Sequence, residues 1–440
     1  MRLMYRNKLA ALAVFFALTV LSVKVAYSQF SMSNPYSRYG IGSMYGVASQ
    51  TGSAMGGVGY ALARNNDINI LNPASYSAID TQSFVFNIGF DLSWNRLQTS
   101  SDKLKSFLAS VQNISFAFPV MRRLKVGLSL MPVSDVDYKA TDTVFAVPVY
   151  TKKYTGEGNV DKFTAGIAYE ILSNERNRLS VGFNADYHFG TITRKTAMDF
   201  YATVKDTNNK WQDTAGFFNN QTVNRIKVSS FMFDIGVQYF YRTTAGDMLG
   251  LGLSFTPSVK LNTETEQKFY TYYNKSGVND TVNTISDKNI DGHIKMPMHI
   301  GGGVSFERPG RLFAEADITY TKWSQFEFAD PQNMKDNVVF NAGAEYIPYR
   351  NSTNYFSKLA YRFGVNYDNG YIYLADKRID KFGISFGTAL PIKKLGTKVN
   401  LGFECGRMGT TQNNLIRNNY YKLSISITAK DRWFVQRRYK

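Results

Sequence analysis

The 440-residue chain has a single cysteine, Cys405, so no internal disulfide can staple it. Its three histidines, His188, His293 and His299, are too few and too scattered to form a metal-ligand set with that thiol, and no metal or cofactor site is visible. Beyond the first two dozen residues no long apolar run remains, which excludes a helical membrane protein. Acidic side chains are also scarce: 34 Asp and Glu stand against 51 Lys and Arg, a net charge of +17. Such a surplus suits nucleic acid, yet the basic residues gather on no helix or recognisable module, so no nucleic-acid partner is expected.

What is present is aromatic. With 32 Phe and 29 Tyr the chain is 15% aromatic, and this combines with dyad alternation as in an outer-membrane barrel, where aromatic girdles flank an apolar band. The N-terminus agrees. Arg2, Arg6 and Lys8 precede an apolar run from Leu9 to Val23, and Ala26-Tyr27-Ser28 offers small residues to a signal peptidase. Residues 1–28 therefore read as a cleaved export signal with Gln29 as the mature N-terminus. Without the four basic residues of that signal the charge is +13.

Period-2 segments then recur about fourteen times, an even count as bacterial barrels require. The first, 82–95, alternates Phe84, Phe86, Ile88, Phe90, Leu92 and Trp94. Later segments include 111–119, 122–138, 159–171, 178–192, 222–241, 247–262, 291–306 and, last, 418–429. In 178–192, Leu179, Val181, Phe183, Ala185, Tyr187 and Phe189 share one face and Ser180, Asn184, Asp186 and His188 the other. Lipid outside and a polar lumen inside account for this pattern, although a soluble β-sandwich would alternate too. The connections favour the barrel: short links such as 119–121, 172–177 and 242–246 alternate with long polar ones, 98–110, 139–159, 195–220 and 264–291. Short periplasmic turns and long external loops are the bacterial pattern, and both termini then face the periplasm.

The stretch 29–80 fits no strand. Gly40, Gly42, Gly46, Gly52, Gly56, Gly57 and Gly59 lead into Asn72-Pro73-Ala74, and small residues let backbone pack on backbone inside a lumen. A flexible periplasmic linker is the alternative, but it would carry fewer residues like Met44, Tyr45, Val58, Tyr60 and Ile70. The expected organisation is thus a plug at 29–80, a barrel at 81–429 and a basic tail at 430–440. That tail, with Arg432, Arg437, Arg438 and Lys440 around Trp433 and Phe434, suits anionic headgroups or a protein partner.

Enzyme chemistry has little support. Gly383-Ile384-Ser385-Phe386-Gly387 matches G-x-S-x-G, but it sits within an alternating strand, whereas a nucleophile elbow needs a strand-to-helix turn. Lumen-facing Asp186, His188, Asp234, Glu315, Asp317, Arg362 and Glu404 suit a salt-bridged barrel interior better than acid–base catalysis. One residue breaks its strand: after Leu124, Val126, Leu128 and Leu130 comes Pro132, which cannot donate to a ladder and marks a bulge, kink or gap.

These residues resemble the outer-membrane long-chain fatty-acid and hydrocarbon transporters of the FadL/TodX group. The likeness rests on Gly42 to Gly59 followed by Asn72-Pro73-Ala74, on Pro297 to Phe326, and on Tyr361-Arg362-Phe363-Gly364-Val365. Asn34-Pro35-Tyr36-Ser37-Arg38-Tyr39-Gly40 looks like a Bacteroidetes branch of that group. The resemblance implies an all-β, fourteen-stranded barrel in the outer membrane of a Gram-negative bacterium, with an N-terminal hatch. Gly42, Gly46, Gly56, Gly57, Gly59, Asn72, Pro73 and Ala74 would form the gate. It also implies a kink at Pro132 that opens the wall sideways to hydrophobic ligands; a simple rim bulge is the alternative. One departure is that the long loops are polar, leaving Phe217, Phe218, Phe269, Tyr270, Tyr272 and Tyr273 to build any external groove. Membrane lipid, lipopolysaccharide and a hydrophobic small molecule are the implied partners. The competing reading is an accessory barrel in a multiprotein outer-membrane complex, docking other outer-membrane proteins.

Overall fold

The computed structural model describes residues 34–145, 149–200, 203–205, 211–213, 218–275, 278–328, 334–392 and 397–432. The export signal, Phe217 and the tail beyond Arg432 lie outside the described residues.

Fourteen antiparallel strands close into a barrel. They are β1 Ser83–Gln98, β2 Lys103–Pro119, β3 Leu124–Val144, β4 Tyr150–Ser173, β5 Asn177–Phe200 and β6 Asn219–Arg242. β7 runs in two stretches, Met248–Thr256 and Val259–Lys275, and β8 in two, Val278–Met296 and His299–Arg308. Pro257 and Pro297 fall in the two breaks, where a missing N–H interrupts the ladder. β9 Leu312–Thr321, β10 Asn337–Tyr346, β11 Ala360–Asp368, β12 Lys381–Pro391, β13 Lys398–Met408 and β14 Arg417–Arg432 complete the ring. Each pairs with its sequence neighbour, and β1 closes on β14 from Ser83 opposite Arg432 to Gln98 opposite Arg417.

The alternation read from the sequence sets the two faces. Ser180, Asn184, Asp186 and His188 are buried inward, whereas Leu253 is 60% and Phe231 55% exposed on the outside. Ile167, Phe183, Val304, Ile318, Phe340, Phe386 and Phe403 extend that exposed apolar band around the wall. A ring closed by pairing of its first and last strands, with an apolar exterior, can face hydrocarbon, and the chain is an outer-membrane barrel.

Two expectations are corrected. The stretches 98–110, 139–159, 195–220 and 264–291 are not simply loops: ladders of β1–β2, β3–β4, β4–β5, β5–β6 and β7–β8 run through much of them. Beyond the bilayer no lipid face is needed, so pairing continues after the apolar alternation has stopped. The wall is consequently tall over β3–β8 and short over β9–β13. Lys430 to Arg432 belong to β14, so the strand continues past 429. At the short-turn rim, Arg308 donates to Asp247 at 3.1 Å, and that hydrogen bond holds the Asp247 carboxyl below the usual range.

Candidate functional site: the filled lumen and the break in its wall

Residues 34–80 pack against residues of β3, β6, β7, β9, β11 and β12. Their fold is set by two caps. Asn34 accepts from the Tyr36 N–H at the start of the short 3₁₀ turn Pro35–Arg38, and Asn72 accepts from the Ala74 N–H at the start of Pro73–Ala78. Proline follows each cap, where its lack of N–H costs nothing. Asn72 also donates through Nδ2 to the carbonyls of Tyr60 (2.8 Å), Val237 and Leu253 (both 3.2 Å), tying the segment to β6 and β7. Pro73 and Ala74 are buried beside it.

Carboxylates on β9 grip the next turn. Asp317 accepts from the N–H groups of Gly59 (2.7 Å) and Tyr60 (3.3 Å), and Glu315 from that of Ala61 (2.6 Å). The Tyr60 hydroxyl is hydrogen bonded to His299 at 2.9 Å and accepts from Thr319 at 3.0 Å. Removing a buried acceptor leaves donors unsatisfied at about 1–3 kcal/mol each. Asp317→Ala is therefore expected to lower the urea midpoint of the folded barrel and expose residues 34–80 to protease. An unchanged midpoint and digestion pattern would contradict this grip.

Backbone meets backbone at Gly364 of β11: a Cβ there would overlap the Gly56 nitrogen and the Met55 carbonyl carbon. Gly56 itself sits at φ +74° and donates to Ser385 Oγ at 2.7 Å. The serine of the G-x-S-x-G match thus faces the lumen from mid-strand as an acceptor for the packed segment. Gly57 and Gly59 lie beside Asn341 and Asn69, while a side chain at Gly46 would meet nothing within 4 Å.

The other sequence-derived residues form separate inward-facing pairs. Lys162 bridges Asp186 at 2.6 Å, with His188 buried nearby. Glu345 takes Arg362 and Arg64, both at 2.7 Å, and Glu404 takes Lys422 at 2.9 Å and the Tyr420 hydroxyl at 2.7 Å. Such pairs hold charge inside a wall without converging on a reacting atom. Among the described residues no group of three or more His, Cys, Asp or Glu could hold a metal ion.

The wall itself is broken beside Pro132. The β2–β3 ladder runs only from Pro119 opposite Lys125 to Ile114 opposite Leu130. Past Leu130, β3 is paired with β4, and Val133 is an extra residue between Pro132 opposite Asp161 and Ser134 opposite Val160. The edge that β2 gives up is taken by the N-terminal segment. Ser43 and Met44 pair with Asp135 and Ser134. Tyr45 N–H donates to the Val133 carbonyl at 2.9 Å, Ser37 Oγ accepts from Asp137 N–H at 3.1 Å, and Ser134 Oγ donates to the Ile41 carbonyl at 2.8 Å. Gly42, at φ +115°, permits this approach, since a Cβ would lie 2.5 Å from the Asp135 carbonyl. On the β2 side the Tyr45 hydroxyl reaches Ser110 and Gln112 donates to Ser53 at 3.1 Å.

Above the break, Ile41, Val136, Tyr138, Val160, Ile192 and Leu261 pack into an apolar interior cluster, and Val133 touches it. The sequence flagged Pro132 but not this cluster, whose members stand at the ends of separate alternating segments and in the N-terminal stretch, so that only the fold brings them together. Of the aromatics expected to form an external groove, Phe218 and Phe269 are exposed, while Tyr272 is buried and donates to Asp199.

The closed fourteen-stranded antiparallel barrel is the fold of solved hydrocarbon channels and transporters. The toluene transporter TodX of Pseudomonas putida aligns with a TM-score of 0.57 at 15% identity, over 88% of this chain and 98% of that one. The CymD monoaromatic hydrocarbon channel gives 0.55 at 15% identity over 88% and 98%. A Pseudomonas aeruginosa FadL homologue gives 0.54 at 13% identity over 89% and 99%. The sequence model of the BamG family matches residues 9–440, and the chain belongs to that family. No curated protein matches it in sequence.

Proposed function

We propose that this barrel passes hydrophobic small molecules sideways between its interior and the bilayer, through the break beside Pro132. Residues 34–80 act as the gate. The observation that carries this reading is the substitution of edges: β3 leaves β2 at Leu130, and Ser43–Met44 of the N-terminal segment, not a barrel strand, pairs with the freed edge. The apolar cluster that includes Val136 and reaches Val133 supplies a dry track to that point. Uptake is passive, and long-chain fatty acids and monoaromatic hydrocarbons share the chemistry that such a track accepts. Membrane lipid and lipopolysaccharide contact the outer band.

Pro132→Ala restores an N–H and favours extension of the β2–β3 ladder. Uptake of labelled oleate or toluene by cells or liposomes is expected to fall severalfold. Unchanged uptake would remove Pro132 from the mechanism.

A second reading is favoured by the number of buried polar contacts that hold residues 34–80. In that reading the lumen never opens, and the barrel is an accessory subunit of a multiprotein outer-membrane complex without transport of its own. Detergent extraction followed by native pull-down separates the two. Stoichiometric protein partners support the subunit, and apolar ligand retained in an isolated barrel supports the conduit.

A further inference from the structure

The outward face of β14, β1 and β2 carries a basic patch at the rim of the long links, laid out in rows across the strands. Trp94 stands between Phe107 and Tyr421, its ring 5.4 Å from that of Phe107, and Trp94 and Tyr421 are exposed. Two residues further out, about 7 Å along the strands, Arg96 stands between Lys105 and Asn419, and Asn419 is opposite Arg407 of β13. Beyond that row Lys103 and Arg417 flank Gln98, to which Arg417 donates at 3.1 Å. Arg96, Lys103 and Lys105 are exposed and have no ion pair or side-chain hydrogen bond among the described residues. The carboxylates nearby are already engaged: Asp102 at the hairpin tip accepts from the Ser101 hydroxyl (2.6 Å), and Asp380 bridges Arg407 at 3.6 Å. Exposed cations of the taller wall are matched instead, Lys153 by Asp199, Lys195 by Glu157 and Arg225 by Glu266.

We infer that this patch binds the phosphorylated sugar headgroup of an outer-leaflet glycolipid of the lipid A type. Trp and Tyr gather where hydrocarbon gives way to headgroups, so the row of Trp94 and Tyr421 marks that level and the cations of the next rows stand among the phosphates. Guanidinium and ammonium groups take phosphate through charge-assisted hydrogen bonds, and exposed cations without a protein partner are free to make them. From Lys105 to Arg407 the basic row crosses four strands, about 14 Å. That width suits a disaccharide bearing more than one phosphate better than the single phosphate of a glycerophospholipid. The long links of bacterial barrels face outward, toward the leaflet that carries the glycolipid. The patch gives the proposed contact with lipopolysaccharide an address and rests on that reading, whereas nothing in it requires the lumen to open.

The test titrates fluorescent diphosphoryl lipid A against the full chain in detergent micelles, beside dephosphorylated lipid A and phosphatidylglycerol, with heat-modifiable migration reporting the fold of each variant. Arg96→Gln with Lys105→Gln is expected to weaken binding of diphosphoryl lipid A about tenfold, the scale of losing a charge-assisted pair. Arg96→Lys with Lys105→Arg, which keeps both charges, should hold it within about threefold. Lys153→Gln with Lys195→Gln, equal in charge and on the taller wall, should leave it within about twofold. If Arg96→Gln with Lys105→Gln does not fold, Lys103→Gln with Lys105→Gln near the hairpin tip must weaken binding by itself. Equal losses in the Arg96/Lys105 and Lys153/Lys195 glutamine variants would overturn the site and leave lipopolysaccharide contact standing, whereas no binding of lipid A by the parent would overturn both. Equal binding of dephosphorylated lipid A would reduce the patch to an apolar belt, and equal binding of phosphatidylglycerol would open it to any anionic lipid; either result would also overturn the site.

Discussion

Gly252→Val is expected to drive residues 34–80 out of their seat. Gly252 sits in β7 directly behind the plug, and a Cβ there would overlap the Tyr60 carbonyl. Tyr60 cannot yield, because its N–H is held by Asp317, its hydroxyl lies between His299 and Thr319, and its carbonyl accepts from Asn72 and Gln238. Overpacking of this kind costs about 1–3 kcal/mol or more, and here it falls on backbone that has nowhere to move. The ladders from β6 to β7 and β7 to β8 do not depend on position 252 having no side chain. The barrel should therefore persist while its filling is lost. Heat-modifiable migration on gels would report a folded barrel, and protease would cut within 34–80. In planar bilayers the variant should conduct where the parent is nearly silent. A variant with parental protease resistance and conductance would show that the packed lumen tolerates what its geometry forbids.

How far the sequence foretold this arrangement differs between its parts. Strand positions were legible because a lipid exterior imposes strict alternation: β1 and β6 begin and end within a few residues of the apolar pattern. Above the bilayer that constraint lapses. The upper parts of β2, β4, β5, β7 and β8 therefore read as polar loops although they are paired. Glycine enrichment raised the expectation of a packed segment ahead of β1, whereas the cap that Asn72 makes on Pro73–Ala78 was not read from the sequence. The partners of that segment were not legible, since Gly252, Gly364 and Asp317 differ from other inward-facing residues only through what lies opposite them. Pro132 marked a bulge, kink or gap in β3, and the register shifts there. That Ser43 and Met44 fill the gap depends on a contact some ninety residues apart in sequence, which no local pattern encodes.

The second large effect concerns that contact. Met44 and Ser134 are antiparallel partners. Opposed residues in such pairs have Cα atoms about 4.5–5.5 Å apart, within disulfide reach. In a Cys405→Ser background, Met44→Cys with Ser134→Cys should oxidise and weld the plug to the freed edge of β3. Cα positions change little, so the barrel should fold as before. If hydrophobic molecules leave through the break, the segment must peel from β3 and the bond must stop it. The most direct measurement is uptake of labelled toluene or oleate by this variant before and after reduction. The account predicts at least about a tenfold loss when oxidised, a barrier rise of about 1.4 kcal/mol or more, and recovery with reductant. Equal uptake by the oxidised and reduced protein would contradict a lateral path gated by residues 34–80.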